Sequence, residues 1–172
     1  AAAFVTVAQS TTTAPLNLAY KEDEFAFYLK DLKAKAIIVE TGYDGPARSV
    51  AKRFDMIVIE LTATDPAGSF TLSTTATGNA ADTLPASDDV ALILHTSGTT
   101  SRPKIVPLLQ SNVAASAQNV RYSLALTPDD CCLNVMPLFH IHGLIAAVSG
   151  SLAAGASISC APGFDALKFY SW

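Results

Sequence analysis

The chain has 172 residues, the size of one domain or part of one, and carries 11 Lys+Arg against 15 Asp+Glu for a net charge of −4. That balance argues against nucleic acid or an anionic membrane surface as the main partner, because counterion-releasing contacts need clustered cations. Hydrophobic residues make up 50% and charged ones 15%, below the roughly 25% charge of soluble domains, so disorder is excluded and a sizeable core is expected.

In chain order, Ala1–Ala8 is apolar but short and contains no basic residue, the pattern of neither a signal peptide nor a membrane span. Glu22, Asp23 and Glu24 open a helix at the positive end of its dipole. Phe25, Tyr28, Leu29 and Leu32 follow at i, i+3, i+4, i+7 and form its apolar face. Ala36-Ile37-Ile38-Val39 is a short strand, a small helix covers about residues 47–53, and Met56–Leu61 is a second buried strand. Strand, helix, strand with continuous apolar strands predicts α/β architecture over residues 14–61: a parallel sheet with helices on both faces. Residues 62–89 break the rhythm. They are rich in Thr, Ala, Gly, Asp and Pro, hold no cation, and read as a surface connection.

From Val90 the alternation resumes. Val90–His95 is a buried strand, Ile105–Leu108 is extended, and Ser111 or Asn112 caps a helix reaching about Leu124. Thr127–Asp130 is a turn, Cys131–Val135 a strand and Met136–His142 a loop. Gly143–Ala154 reads as a buried helix stopped by Gly155, rather than a membrane helix, and Ala156–Ala161 as a strand. Asp165 is expected to cap a final helix. Between Val90 and Trp172 the only cations are Arg102, Lys104, Arg121 and Lys168, and the only acids Asp129, Asp130 and Asp165. So little charge cannot cover a free-standing domain, which predicts that the chain is an internal piece of a larger protein.

The hydroxyl-rich segment after the first of these strands carries the chemistry. Thr96, Ser97, Gly98, Thr99 and Thr100 supply hydroxyls and freed backbone N–H groups, a concave donor set suited to phosphate oxygens. Lys104 adds a point charge that can follow a leaving phosphate, on an arm stiffened by Pro103. The plain alternative is a polar surface turn. The P-loop of common nucleoside triphosphatases is excluded, since G-x-x-x-x-G-K-[ST] needs a second Gly and a GK pair.

Thr96 to Ile105 (TSGTTSRPKI) instead resembles the phosphate loop of the adenylate-forming superfamily, T-S-G-T-T-G-x-P-K-G. Eight of the ten positions agree, counting the free one at Arg102. Pro15-Leu16-Asn17 with Tyr20 resembles the family's P-x-N-x-x-Y stretch. Pro137-Leu138-Phe139-His140-Ile141-His142-Gly143 resembles its P-x-F-H loop, and Phe164-Asp165 the start of its F-D helix. TSGTTSRPK together with PLFHIHG is most similar to the oxalate–CoA ligase branch of plants and fungi. The resemblance implies part of the large N-terminal domain of an acyl-CoA synthetase, with 14–61 an α/β segment and 90–172 holding the phosphate loop and acyl pocket. It implies ATP, coenzyme A and a small carboxylate such as oxalate as substrates, and Mg²⁺ on the phosphates. Thr96, Ser97, Gly98, Thr99, Thr100 and Lys104 would then bind ATP phosphates, and His140, His142 and Gly143 would line the acyl and CoA pocket. The family's adenine-binding Y-G-x-T-E segment, its ribose-binding Asp and its late catalytic lysine have no match in these residues, so the chain alone is expected to be inactive. A truncated, non-catalytic nucleotide-binding or scaffold protein is the alternative.

Two departures stand out. Ile105 replaces a Gly, and a β-branched residue there would be strained by roughly 1–2 kcal/mol if the position needs φ > 0. Leu109 replaces a helix-capping Thr, a role that Ser111 is expected to take. A metal is not expected at His140 and His142, because zinc needs three or four ligands and the adjacent Cys131 and Cys132 point to opposite faces of a strand. His95 reads as structural. Cys131, Cys132 and Cys160 read as small core residues of a reducing compartment, and the protein is expected to be intracellular, cytoplasmic or peroxisomal.

Overall fold

The computed structural model describes residues 1–77, 84–96 and 103–172. Contacts divide them into two compact units, one within residues 16–77 and one formed by residues 3–15 with 84–172. The apolar opening stretch is a helix, α1 (Ala2–Ala8). Among the described residues no helix is long and apolar enough to cross a membrane.

In the first unit, α2 (Glu22–Asp31) starts where the Lys21 N–H donates to the Glu24 carboxylate at 2.9 Å. Phe25 and Leu29 are buried, as their spacing predicts, and form one core with Ala47 and Val50 of α3 (Pro46–Arg53). Tyr20 packs on this core, stacked on Tyr28 at 4.8 Å and edge-on to Phe25 at 5.8 Å. Burial, with help from Tyr28, pushes its phenol up to about 12, so it stays a hydrogen-bond donor at any ordinary pH. β1 (Ala36–Glu40) and β2 (Ile57–Thr64) pair in parallel across α3, with Ile38 opposite Ile59. Arg48 of α3 is tied to both ends of its surroundings: Nη2 meets Glu60 Oε1 at 2.6 Å and Nε donates to the Tyr43 carbonyl at 2.6 Å.

β2 runs three residues past its expected end, turns at Asp65–Gly68, and β3 (Ser69–Ser73) returns antiparallel, with Phe70 opposite Ala63 and Leu72 opposite Leu61. Residues 62–89 are therefore not a plain connection: they begin with a hairpin. Ser69-Phe70-Thr71-Leu72-Ser73 does alternate with a period of two, but two apolar residues among hydroxyls do not stand out from a Thr-rich stretch. Gly68 closes the turn at φ +92°, a conformation that other residues reach only with strain.

The Tyr43 hydroxyl, packed under Gly45, is buried with no hydrogen-bond partner among the described residues. An unpaired buried donor destabilises the fold, so Tyr43→Phe is expected to leave unfolding free energy unchanged or raise it by up to about 1 kcal/mol. Urea denaturation of the protein and the variant side by side checks this, and a clear loss of stability would show that the hydroxyl is satisfied.

The second unit holds β4 (Val90–Thr96), β5 (Lys104–Leu109), α4 (Gln110–Ser123), β6 (Cys131–Asn134) and β7 (Ser157–Cys160). Between β6 and β7 a π-helical stretch, His142–Ser149, runs straight into α5 (Gly150–Ala154). As predicted, Gly155 ends that helix, in the left-handed conformation at φ +74°. β4 and β5 are antiparallel, while β6 and β7 are parallel, with Asn134 opposite Cys160. The class is α/β as expected, but pairing follows connection length. Strand–helix–strand gives the two parallel pairs, and the short links give antiparallel ones, so the sheets are not wholly parallel.

Three local expectations are corrected. α4 begins after Leu109, with the Asn112 side-chain Oδ1 accepting the Leu109 N–H at 3.0 Å, so neither Ser111 nor Asn112 sits at the cap position. Asp165 does accept the Leu167 and Lys168 N–H groups, but the turn it caps continues only as a short 3-10 helix, Phe169–Ser171. Cys131 and Cys160 are exposed and Cys132 half-buried, because two-stranded β6–β7 leaves much of its surface uncovered by the described residues.

Candidate functional site

The candidate phosphate loop is positioned by a hairpin. Leu92 and Leu94 of β4 share one face and are buried in one core, which fixes the register against β5, since a one-residue slip would turn both to the other face of the strand. Thr13 holds the other edge of β4, its N–H donating to Ala91 O and its carbonyl accepting from Ile93 N–H at 2.8 Å. The last pair of the ladder is Thr96 opposite Lys104, both exposed. Side chains directly opposite in an antiparallel pair share one side of the sheet with Cβ atoms roughly 5 Å apart, so a hydroxyl and an ammonium flank the mouth of the segment between them. Ser97, Gly98, Thr99 and Thr100 lie outside the described residues. Ile105 is not strained: it sits within β5 opposite His95, is absent from the residues with positive φ, and suits an extended strand.

The second stretch, Pro137–Gly143, leaves β6 at Asn134 and enters the π-helical stretch at His142. Asn134 is only 3% exposed, and its side chain grips Met136 twice: Nδ2 donates to Met136 O at 3.2 Å and Oδ1 accepts Met136 N–H at 3.0 Å. The His140 N–H donates to Pro137 O, and the Leu144 N–H to His140 O at 3.1 Å. Gly143 is buried against the start of the loop; a Cβ there would lie 2.5 Å from Pro137 O and 3.1 Å from Met136 O, too close for any side chain. Further along, the Ser149 hydroxyl donates to Leu144 O at 2.8 Å, five residues back, which suits the wide π turn. His140 and His142 are exposed, and the His140 ring lies 4.6 Å from that of Phe139.

A shared core joins the two stretches. Leu92 and Leu94 of β4 cluster with Leu144 and Ile145, and Leu108, Val113, Leu138 and Phe4 pack around them. The strand that delivers Thr96 and the helix behind His142 are thus anchored on the same apolar contacts. No hydrogen bond or ion pair links either histidine to Thr96 or Lys104 among the described residues. What the arrangement offers is a donor-lined hairpin mouth and an exposed imidazole pair on one scaffold, which fits binding and positioning rather than covalent catalysis.

Among the described residues no group of three His, Cys, Asp or Glu side chains is arranged to hold a metal ion. Those residues therefore supply no cage for the Mg²⁺ that the resemblance implies. The Asp130 carboxylate is instead held below its ordinary pKa by the Thr127 N–H at 2.7 Å and hydroxyl at 3.0 Å, a turn lock ahead of β6. Sequence reasoning passed over Asn134. Its one signal is a polar residue ending an apolar strand, two positions before Met136-Pro137.

A model of the AMP-binding enzyme family matches residues 1–172. The oxalate–CoA ligase of Arabidopsis thaliana is 40% identical over 165 residues, covering 92% of this chain and 32% of that protein. The oxalate–CoA ligase of Saccharomyces cerevisiae is 40% identical over 182 residues, covering 91% of this chain and 34% of that protein. Among solved structures, ATP-bound MatB from Rhodopseudomonas palustris superposes with a TM-score of 0.77 at 28% identity, covering 99% of this chain and 35% of its own. The chain spans about a third of the length of the relatives it matches.

Proposed function

We propose an acid–thiol ligase role from one premise: the chain belongs to the AMP-binding enzyme family. The full-length protein activates a small carboxylate with ATP and passes the acyl group to coenzyme A. In the first step a carboxylate oxygen bonds to the α-phosphorus as the bond to pyrophosphate breaks, giving acyl-AMP. In the second, the thiol sulfur bonds to the acyl carbon, AMP leaves, and the thiol proton is released. Thr96, Ser97, Gly98, Thr99 and Thr100 bind phosphate oxygens, and Lys104 faces the departing pyrophosphate. The observation that carries this reading is the hairpin register, which sets Thr96 against Lys104 around a TSGTTSRPK segment.

The preferred acid is a small dicarboxylate such as oxalate. A second carboxylate entering an apolar pocket must meet donors, because an unpaired buried charge costs several kcal/mol. Arg121 lies on α4 and Lys168 in the terminal turn, which leaves His140 and His142 as the donors on the P-x-F-H loop. Aromatic and fatty acids would leave those donors unsatisfied, a stronger ground for rejection than lost apolar contact. The relatives named as oxalate–CoA ligases support the same choice.

The test is ATP–pyrophosphate exchange by the full-length protein with oxalate, malonate, 4-coumarate and octanoate, in wild type and His142→Phe. Oxalate is expected to lead, and His142→Phe to lose about tenfold or more of that preference, the size of one lost charged contact. A wild type that prefers octanoate or 4-coumarate would overturn the substrate assignment, and exchange with no carboxylate at all would overturn the ligase reading.

A further inference from the structure

We infer that Asn134 is a positioning residue: its buried side chain sets the loop that presents His140 and His142, and so tunes selectivity for the carboxylate. The inference rests on the ligase reading above for its functional half, and on geometry alone for its structural half.

β6 does not need this side chain. Its pairing with β7 is made by the backbone, where the Asn134 carbonyl accepts the Ala161 N–H at 3.0 Å. An apolar residue at this buried place would serve the strand as well and would avoid the cost of burying an amide. Both polar atoms of the amide are instead spent on one residue, Met136, the last before Pro137. Pro137 has no N–H and restricts the residue before it to extended conformations, so the exit from β6 cannot close on itself through backbone bonds there. Asn134 supplies the missing closure.

From that point the bonds run in series. Pro137 O accepts from His140 N–H, His140 O from Leu144 N–H, and Leu144 O from the Ser149 hydroxyl. The carbonyls of Met136 and Pro137 also rest against Gly143. Asn134 thus orients the Met136 carbonyl, and through it the start of Pro137, whose carbonyl is the other seat for the far end of the loop. Releasing Met136 moves the seat, and the histidines move with it, while the β4–β5 ladder that sets Thr96 against Lys104 uses none of these bonds.

The experiment uses the full-length protein with Asn134→Leu, which keeps similar volume and removes both bonds, and Asn134→Asp, which accepts from Met136 N–H but cannot donate to Met136 O when ionised. The structural readout is the set of histidine ring Cε1–H NMR resonances. Those of His140 and His142 are expected to shift in Asn134→Leu and less in Asn134→Asp, with His95 unmoved. The kinetic readout is KM for oxalate, expected to rise about tenfold or more as the loop is misplaced, with KM for ATP within about twofold and the oxalate-over-malonate preference reduced. A general loss of structure would move His95 and both KM values together, and would overturn the positioning role, as would unmoved His140 and His142 resonances. If the resonances shift as expected but wild type adenylates no carboxylate, the positioning stands and the ligase reading falls. Should Asn134→Leu fail to fold, Asn134→Asp alone gives the same readouts, and the same results support or overturn the positioning role.

Discussion

Lys104→Ala in the full-length protein is expected to slow adenylation by roughly 30- to 900-fold while changing KM for the carboxylate little. The figure corresponds to about 2–4 kcal/mol for one preorganised charged contact to developing charge. Lys104 begins β5 opposite Thr96 and is exposed, with no ion pair among the described residues, so strand register sets where its side chain leaves the ladder. Negative charge on the bond to pyrophosphate grows as that bond breaks. A cation placed there therefore contributes more in the transition state than in the bound complex, and its loss shows in kcat. Pyrophosphate exchange at saturating ATP measures this directly. An unchanged kcat with a raised KM for the carboxylate would place Lys104 at the acid and not at the phosphates. Lys104→Arg separates charge from shape: it keeps the charge but spreads it over a planar fork, so partial recovery is expected.

What the sequence shows and what it hides follow from how far apart the interacting residues lie. Periodic burial is local, so α2 with Phe25 and Leu29, the buried β4, and the helix ended by Gly155 are all readable from spacing alone. The candidate phosphate segment is readable for a different reason. Its chemistry needs hydroxyls, a flexible Gly and a lysine within nine residues, and those stand contiguous from Thr96 to Lys104. The hairpin β2–β3 is hidden because three of the five β3 residues are hydroxyl-bearing and its partner strand looks complete before its true end. Ile105 misleads in the opposite direction: measured against a glycine pattern it looks strained, yet its place is set by pairing with His95. Asn134 is hidden most deeply. Nothing in a single polar residue says that its amide will be buried and turned onto Met136; that is decided by Pro137, by Gly143 and by the parallel partner β7 together.

The 172-residue chain by itself is expected to show no ATP–pyrophosphate exchange with any carboxylate. ATP offers three parts to hold: adenine, ribose and phosphates. On the proposed reading the stretch from Thr96 to Lys104 takes the phosphates and Pro137–Gly143 the acid, but no Y-G-x-T-E stretch stands in these residues to take the base. A nucleotide gripped only by its phosphates is free to rotate about them, and the α-phosphorus then spends little time in line with an attacking carboxylate. Correct placement of two reactants is worth effective molarities of about 10⁵–10⁸ M, so an untethered nucleotide forfeits many powers of ten in rate. The measurement is exchange of labelled pyrophosphate into ATP by the purified chain, with oxalate at high concentration and a Lys104→Ala chain prepared in parallel. Exchange that survives in the chain but vanishes in Lys104→Ala would show that these residues hold a working adenylation site, and would overturn the expectation.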